Sequence, residues 1–296
     1  MSFEALGLHA SLVQAVADTG YTTPTPVQAQ AIPAAIAGRD LLVSSQTGSG
    51  KTAAFMLPAL NKLANAEETP AGKTAAQEAQ AARAKGERVR FKAAQPKMLV
   101  LTPTRELALQ VSAATEQYTA HMRRLRCVSI LGGMPYPKQM QLLAKNPEIL
   151  VATPGRLIDH MDSGKIDFSQ LEILVLDEAD RMLDMGFIDD IEKIVAATPS
   201  TRQTMLFSAT LDGVVGNMAR RITTDPMTIQ IASAGNRHEN ISQRVHFVDD
   251  LSHKNRLLDH LLRDESMDQA VVFTATKRDA DMIADRLNIA GFAAAA

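Results

Sequence analysis

The sequence predicts an α/β fold in which a parallel sheet is covered by helices on both faces, followed by the start of a second unit of the same kind. Three observations carry this expectation. Short β-branched or leucine-rich runs alternate with helix-like patterns along most of the chain. The runs are apolar throughout, as strands buried on both faces must be. The intervening helical segments supply the crossover connections that parallel strands need. With 296 residues and 46% hydrophobic content, the chain has material for roughly two domains, each able to bury a core.

The elements follow in order. "DLLVSS" (40–45) reads as a strand before a helix that opens at Lys51, and "KMLVLTP" (97–103) precedes the helical "TRELALQVSAATEQY" (104–118). "RCVSIL" (126–131) leads to "YPKQMQLLAK" (136–145), and "EILVATP" (148–154) leads to "GRLIDHM" (155–161). "LEILVLDEAD" (171–180), "QTMLFSAT" (203–210) and "MTIQI" (227–231) continue the series. Residues 66–95 are rich in Ala, Gln, Lys, Arg and Glu, and read as a mobile or partly helical insertion with a basic cluster near its end, an electrostatic accessory. "ASAGNRHEN" (232–240) reads as a linker. The first domain is thus expected over 1–231. Beyond the linker, 241–296 offers two strand-like runs, "ISQRVHFVD" and "AVVFTAT", and two helical ones, too little for a complete domain of this class.

Composition narrows the function. No apolar run approaches the roughly 20 residues of a membrane span, and the N-terminus lacks a basic region before an apolar core, so a cytoplasmic protein is expected. The single cysteine, Cys127, sits in an apolar run and reads as a buried strand residue. Seven histidines lie without metal spacing; His246, His253 and His260 recur every seventh residue, and surface placement suits them better than a metal site. A formal charge of −2 gives no overall basic signature, so any nucleic-acid contact must come from local patches such as "HMRRLR" (121–126), for which a plain solvated surface is an equally good reading.

Nearly every polar cluster follows a strand run directly, and in sheets of this kind ligands bind beyond the carboxyl ends of the strands. "SQTGSGKT" (Ser45, Gln46, Thr47, Gly48, Ser49, Gly50, Lys51, Thr52) matches a phosphate-binding loop except that Ser45 stands where glycine is usual. Gly48 and Gly50 let backbone N–H groups curl round phosphate oxygens, and the following helix presents its positive end to the same anion. Lys51 adds charge at the β and γ phosphates of ATP, and the Thr52 hydroxyl is the expected Mg²⁺ ligand. Asp177, at the end of an apolar run, suits a second Mg²⁺ anchor, and Glu178 can orient or deprotonate an attacking water. In "GYTTPTPVQ" (20–28) the prolines suggest an extended turn; Gln28 carries an amide able to read adenine at N6 and N7, and Tyr21 offers a ring for stacking.

Taken together, "GYTTPTPVQ", "SQTGSGKT", "PTRELA" (103–108), Gly132-Gly133, "TPGR" (153–156), "DEAD" (177–180), "SAT" (208–210) and "VVFTATK" (271–277) resemble, in order and approximate spacing, the DEAD-box ATP-dependent RNA helicases, with the opening nearest to the bacterial RhlE group. The resemblance implies a RecA-like ATPase domain followed by a second RecA-like domain truncated in this chain. It implies that Phe3 joins Tyr21 and Gln28 at the adenine (a Q motif over 1–28), and that RNA is held through its backbone, with little sequence specificity, by Thr104, Arg105, Gly133, Thr153, Gly155 and Arg156. It further implies that Ser208 and Thr210, acting with Asp180, couple the nucleotide to RNA separation. Taken singly, "TPGR" and "SAT" are ordinary turn sequences. A P-loop phosphotransferase would explain the phosphate loop alone, and an ATP-gated RNA clamp would explain every motif without unwinding. The His- and Arg-rich motif whose arginines reach the γ-phosphate in the family does not occur in these 296 residues, so the chain as it stands is expected to bind nucleotide with negligible RNA-stimulated turnover.

Overall fold

A computed structural model of the chain describes residues 2–68, 93–122, 125–231, 242, 244–264 and 266–296. Most of the insertion expected over 66–95 and all of the linker expected over 232–240 lie outside them. The chain divides into two compact units, Met1–Gly235 and Asn236–Ala296.

In the first unit, helices α1 (Ala10–Asp18) and α2 (Pro26–Ile36) precede β1 (Leu41–Ser44) and α3 (Lys51–Glu68). There follow β2 (Met98–Leu101), α4 (Arg105–Tyr118), β3 (Cys127–Ile130), α5 (Tyr136–Leu143), β4 (Ile149–Ala152) and α6 (Pro154–Asp162). The unit continues with β5 (Ile173–Leu176), α7 (Ala179–Asp184), α8 (Ile188–Ala196), β6 (Gln203–Ser208), α9 (Gly213–Ile222) and β7 (Met227–Gln230). The seven strands form one sheet in the order β3-β4-β2-β5-β6-β1-β7, and every pairing is parallel. Each run expected to be a strand in this unit is one.

Side chains of successive strand residues point to opposite faces, and they sort into two cores. Leu41, Val43, Met98, Val100, Ile173, Val175, Met205 and Phe207 pack with residues of α1 to α4. Leu42, Leu99, Leu101, Leu174, Leu176 and Leu206 pack with residues of α5 to α9. Both faces being dry explains why the strands read as unbroken apolar runs. Phe55 of α3 meets Phe207 of β6 edge to face, with ring centres 5.3 Å apart. That contact pins the helix behind the phosphate loop to the middle of the sheet. Cys127 is half-buried on β3, and burial pushes its thiol up to about 11, consistent with an inert residue.

The amino ends of the strands are tied by a different chemistry. Asp40, buried just before β1, accepts the N–H of Thr204 at 2.8 Å and of Thr224 at 2.7 Å. Gln203 donates to the carbonyls of Ala35 and Arg39. These bonds fix α2, β1, β6 and the entry to β7 to one another at the edge opposite the phosphate loop.

The second unit contains α10 (Leu251–Leu262) and α11 (Lys277–Ile289), capped by Asp250 and Thr276. Arg286 Nη1 donates to both carboxylate oxygens of Asp259 at 2.8 and 2.9 Å. The two strands expected near 241–249 and 270–276 do not form among the described residues. Phe247 and Phe273 are 91% and 92% exposed. Such apolar runs become strands when a neighbouring strand pairs with their backbone, and the described residues of this unit offer none.

Because Asp40 satisfies two backbone donors at once, replacing it with alanine leaves both unpaired. Asp40→Ala should lower the urea-unfolding free energy by about 2 to 4 kcal/mol. Nucleotide affinity in the folded fraction should stay unchanged, since the residue sits at the opposite edge of the sheet.

Candidate functional site

All strands being parallel, their carboxyl ends open onto one edge of the sheet, and there the ladder runs on by one further bond. Ser45 N donates to Ser208 O at 3.1 Å, Thr102 N to Ala152 O at 3.0 Å, Thr153 N to Ile130 O at 3.2 Å, and Asp177 N to Leu101 O at 3.0 Å. Each is the residue just beyond its strand. The residues singled out in the sequence thereby leave the sheet at defined points.

The phosphate loop joins β1 to α3. Gly48 and Gly50 have φ of +81° and +89°, a region that side chains resist. At Gly50 a second constraint applies, because a Cβ there would run into the Gln28 amide. Ser45 is buried, and its hydroxyl accepts from Ser49 Oγ at 3.1 Å, so serine in the usual glycine position is accommodated by the ladder and by its own loop. Lys51 is buried and donates to Ser45 O at 3.4 Å, lying along the loop.

Gln28 is not in an extended turn. Thr25 is the N-cap of α2, Pro26 fills the first helical position, and Gln28 completes a capping box. The T-x-x-Q spacing with proline after the threonine is the signal that could have placed it. The Gln28 oxygen accepts from Thr25 N at 2.9 Å, and its nitrogen donates to Gly50 O at 3.1 Å. Thr25 Oγ1 also donates to Ser49 O at 2.8 Å. One donor and one acceptor site of the amide remain free, and these are the two that an adenine edge needs.

A cavity of about 340 Å³ brings together Gln28, Lys51, Thr52, Asp177 and Glu178, with Tyr21 at its margin. Thr47, Gly48 and Gly50 also face it, whereas Gln46, Ser49 and Ser45 do not. Phe3 is buried in the core and lines a neighbouring groove that shares Tyr21. Sequence reasoning missed four cavity residues, Ala53 on α3 and Leu107, Gln110 and Tyr118 on α4. Nothing in their local pattern separates them from other helix positions. Burial, and then the neighbouring Tyr21, holds the Tyr118 hydroxyl well above its ordinary range.

Asp177 is 2% exposed, and burial pushes its carboxyl up to about 6 against the opposing pull of Lys51. Its Oδ1 is buried without a hydrogen-bond partner. An unsatisfied carboxylate oxygen beside a phosphate loop fits a cation ligand. The described residues contain no cluster of three or more acidic, His or Cys groups. A single protein carboxylate oxygen is enough for Mg²⁺, which takes one or two protein oxygens and completes its shell with water and phosphate. Glu178 has φ +52° and ψ 53°, a left-handed conformation that costs energy for a residue with a side chain. Its carboxylate lies 3.2 Å from Arg181. Ser208 Oγ accepts from Asp180 N at 3.3 Å and from Thr210 N at 3.4 Å, while Asp180 Oδ2 accepts from Ala209 N at 3.2 Å. The ends of β5 and β6 are clasped reciprocally.

The remaining candidates gather on the other half of the edge. Thr104 caps α4 by accepting from Leu107 N at 3.3 Å. The Arg105 guanidinium packs against Gly133, where φ is +72° and a Cβ would collide with it. Thr153 is the N-cap of α6 with its hydroxyl not engaged in capping, and Gly155 has open space above it. Arg156 is partly committed: Nη1 donates to Met134 O at 3.0 Å and Nε faces Asp159 at 3.3 Å.

The chain is 40% identical over 295 residues to the ATP-dependent RNA helicase DeaD of Klebsiella pneumoniae, covering 100% of this chain and 42% of the relative. It is 39% identical to the ATP-dependent RNA helicase SrmB of Escherichia coli, covering 98% and 60%. A crystal structure of a DEAD box protein from the hyperthermophile Methanococcus jannaschii superposes with a TM-score of 0.65 at 30% identity, covering 99% of this chain and 71% of that one. The chain thus spans about half the length of the curated relatives it matches. The DEAD/DEAH box helicase family profile matches residues 25–218, from the cap of α2 through both clasped strand ends, and the chain belongs to that family.

Proposed function

We propose that the chain is the ATP-binding part of an ATP-dependent RNA helicase that separates short RNA duplexes locally, acting in the cytoplasm. The observation that carries this reading is one cavity in which Gln28, Lys51, Thr52, Asp177 and Glu178, drawn from separate segments, face one another. The finer assignment to the RhlE group rests on the N-terminal motif alone.

In this reading the free donor and acceptor of Gln28 hold the adenine edge and Tyr21 stacks on the base. The loop N–H groups and Lys51 hold the phosphates. Thr52 and Asp177 would hold Mg²⁺, which supplies positive charge to the phosphate oxygens when bound. Glu178 takes a proton from the attacking water as the bond between the γ-phosphorus and its bridging oxygen breaks. Thr104, Arg105, Gly133, Thr153, Gly155 and Arg156 bind the RNA backbone, mostly through helix starts and turns that read phosphate and not base. The clasp between Asp180 and the segment Ser208 to Thr210 is positioned to feel the nucleotide, since Asp180 follows Glu178 by two residues.

Gln28→Glu keeps an acceptor for Thr25 N but loses the donor to Gly50 O and to adenine. ATP affinity should fall by at least about tenfold, while inorganic triphosphate is affected far less. Equal loss of both ligands would overturn the adenine role.

Glu178→Gln should bind Mg²⁺-ATP like the parent. It should hydrolyse ATP at least about 100-fold more slowly than the parent. Asp177→Asn should weaken nucleotide binding in the presence of Mg²⁺ and leave binding in EDTA unchanged, as isothermal titration would register.

A further inference from the structure

Two turns carry most of the candidate RNA contacts outside α4. One, between β3 and α5, holds Gly132 and Gly133; the other runs from the end of β4 into the first turn of α6 and holds Thr153, Gly155 and Arg156. Between them lies a polar pair that no motif includes, Gln139 on α5 and His160 on α6, both 0% exposed. Burying two polar side chains is costly unless they are bonded, so their partners are informative.

The Gln139 nitrogen donates to Leu131 O at 2.9 Å and to Met134 O at 3.2 Å. Those two carbonyls flank Gly132 and Gly133, so one side chain closes the turn with both of its N–H groups. With the nitrogen so engaged, the Gln139 oxygen faces His160, whose Nε2 lies 3.2 Å away and must therefore carry the hydrogen. Burial, and then Arg156, holds the imidazole below its ordinary protonation range. Its Nδ1 is buried with no partner. Tyr136, at the start of α5, stacks on the same ring at 4.4 Å and 9°. From the second turn, Arg156 donates to Met134 O. The Met134 carbonyl is thus bonded from both helices.

We propose that Gln139 and His160 are positioning residues for RNA binding, which touch no RNA themselves but hold the two phosphate-binding turns at a fixed separation. Consecutive phosphates of one strand can be held by both turns together only if that separation is set in advance; a loose pair must be ordered at each binding event, which weakens affinity. The inference rests on the RNA reading given above.

The test uses the full chain and a fluorescein-labelled single-stranded oligouridylate, with anisotropy measured across a salt series and a fluorescent ATP analogue titrated in parallel. The parent should bind the RNA. His160→Leu and Gln139→Met, both of roughly conserved volume, should each weaken RNA by about tenfold. Their slopes of log K against log salt should flatten by about 0.7 for each phosphate that is no longer held. Analogue affinity should remain within about twofold of the parent. His160→Gln, whose amide can still donate to the Gln139 oxygen, should recover most of the RNA affinity and the slope. Parental RNA affinity and slope in Gln139→Met would overturn the inference alone. So would a joint fall of RNA and nucleotide affinity in all three variants, which marks a merely structural role. A parent chain that binds no RNA would overturn the RNA reading, and this inference with it.

Discussion

The functional edge of this protein follows from the uniform direction of its seven strands. Parallel pairing forces a helical crossover between strands, which buries both faces and leaves only the strand ends for polar chemistry. It also brings every carboxyl end to one edge. The strand order then divides that edge: the ends of β3, β4 and β2 carry the residues proposed to bind RNA, and those of β5, β6 and β1 carry those proposed to bind nucleotide. The halves meet where β2 pairs with β5, and there Asp177 N is bonded to Leu101 O, directly before Thr102. No long pathway is needed between the two sites. They are neighbouring ends of the same sheet.

Two buried aspartates on opposite edges illustrate how such a sheet divides stability from function. Asp40 has both oxygens bonded to backbone N–H groups and holds the strands together at their amino ends. Asp177 has an oxygen with no partner and a carboxyl raised to about 6, chiefly by burial. A carboxyl raised in the folded state favours folding when protonated; that contribution is complete below the unfolded value near 4 and is lost as pH rises through about 6. At neutral pH the ionised Asp177 is therefore a cost to the fold. Its neighbour Glu178 adds a strained backbone. Both costs lie at the residues proposed to act on the phosphates.

The small clasps of this edge share a design in which one side chain ties a loop by two bonds. Gln28 bonds its own helix cap and the phosphate loop, Ser208 accepts from two N–H groups, and Gln139 closes a glycine turn. Glycine is required where two such elements press together, at Gly50 beneath Gln28 and at Gly133 beneath Arg105. Gln28 thus ties the phosphate loop to the cap of α2 and keeps one donor and one acceptor free.

The class of fold, the position of every strand in the first unit, and the clusters that follow those strands were all legible in the order of residues. These are local properties: unbroken apolar runs record burial on both faces, and a glycine-rich loop with lysine records its own conformation. Which strands are neighbours was settled only in three dimensions, because strand order depends on contacts between distant segments. The same holds for the loan of Leu107, Gln110 and Tyr118 from α4 to the cavity at the phosphate loop, and for the meeting of Gln139 and His160 beneath two separate turns. It holds too for the apolar runs around Phe247 and Phe273, which are not strands here. A strand exists only where a partner satisfies its backbone, and that partner is never written in the run itself.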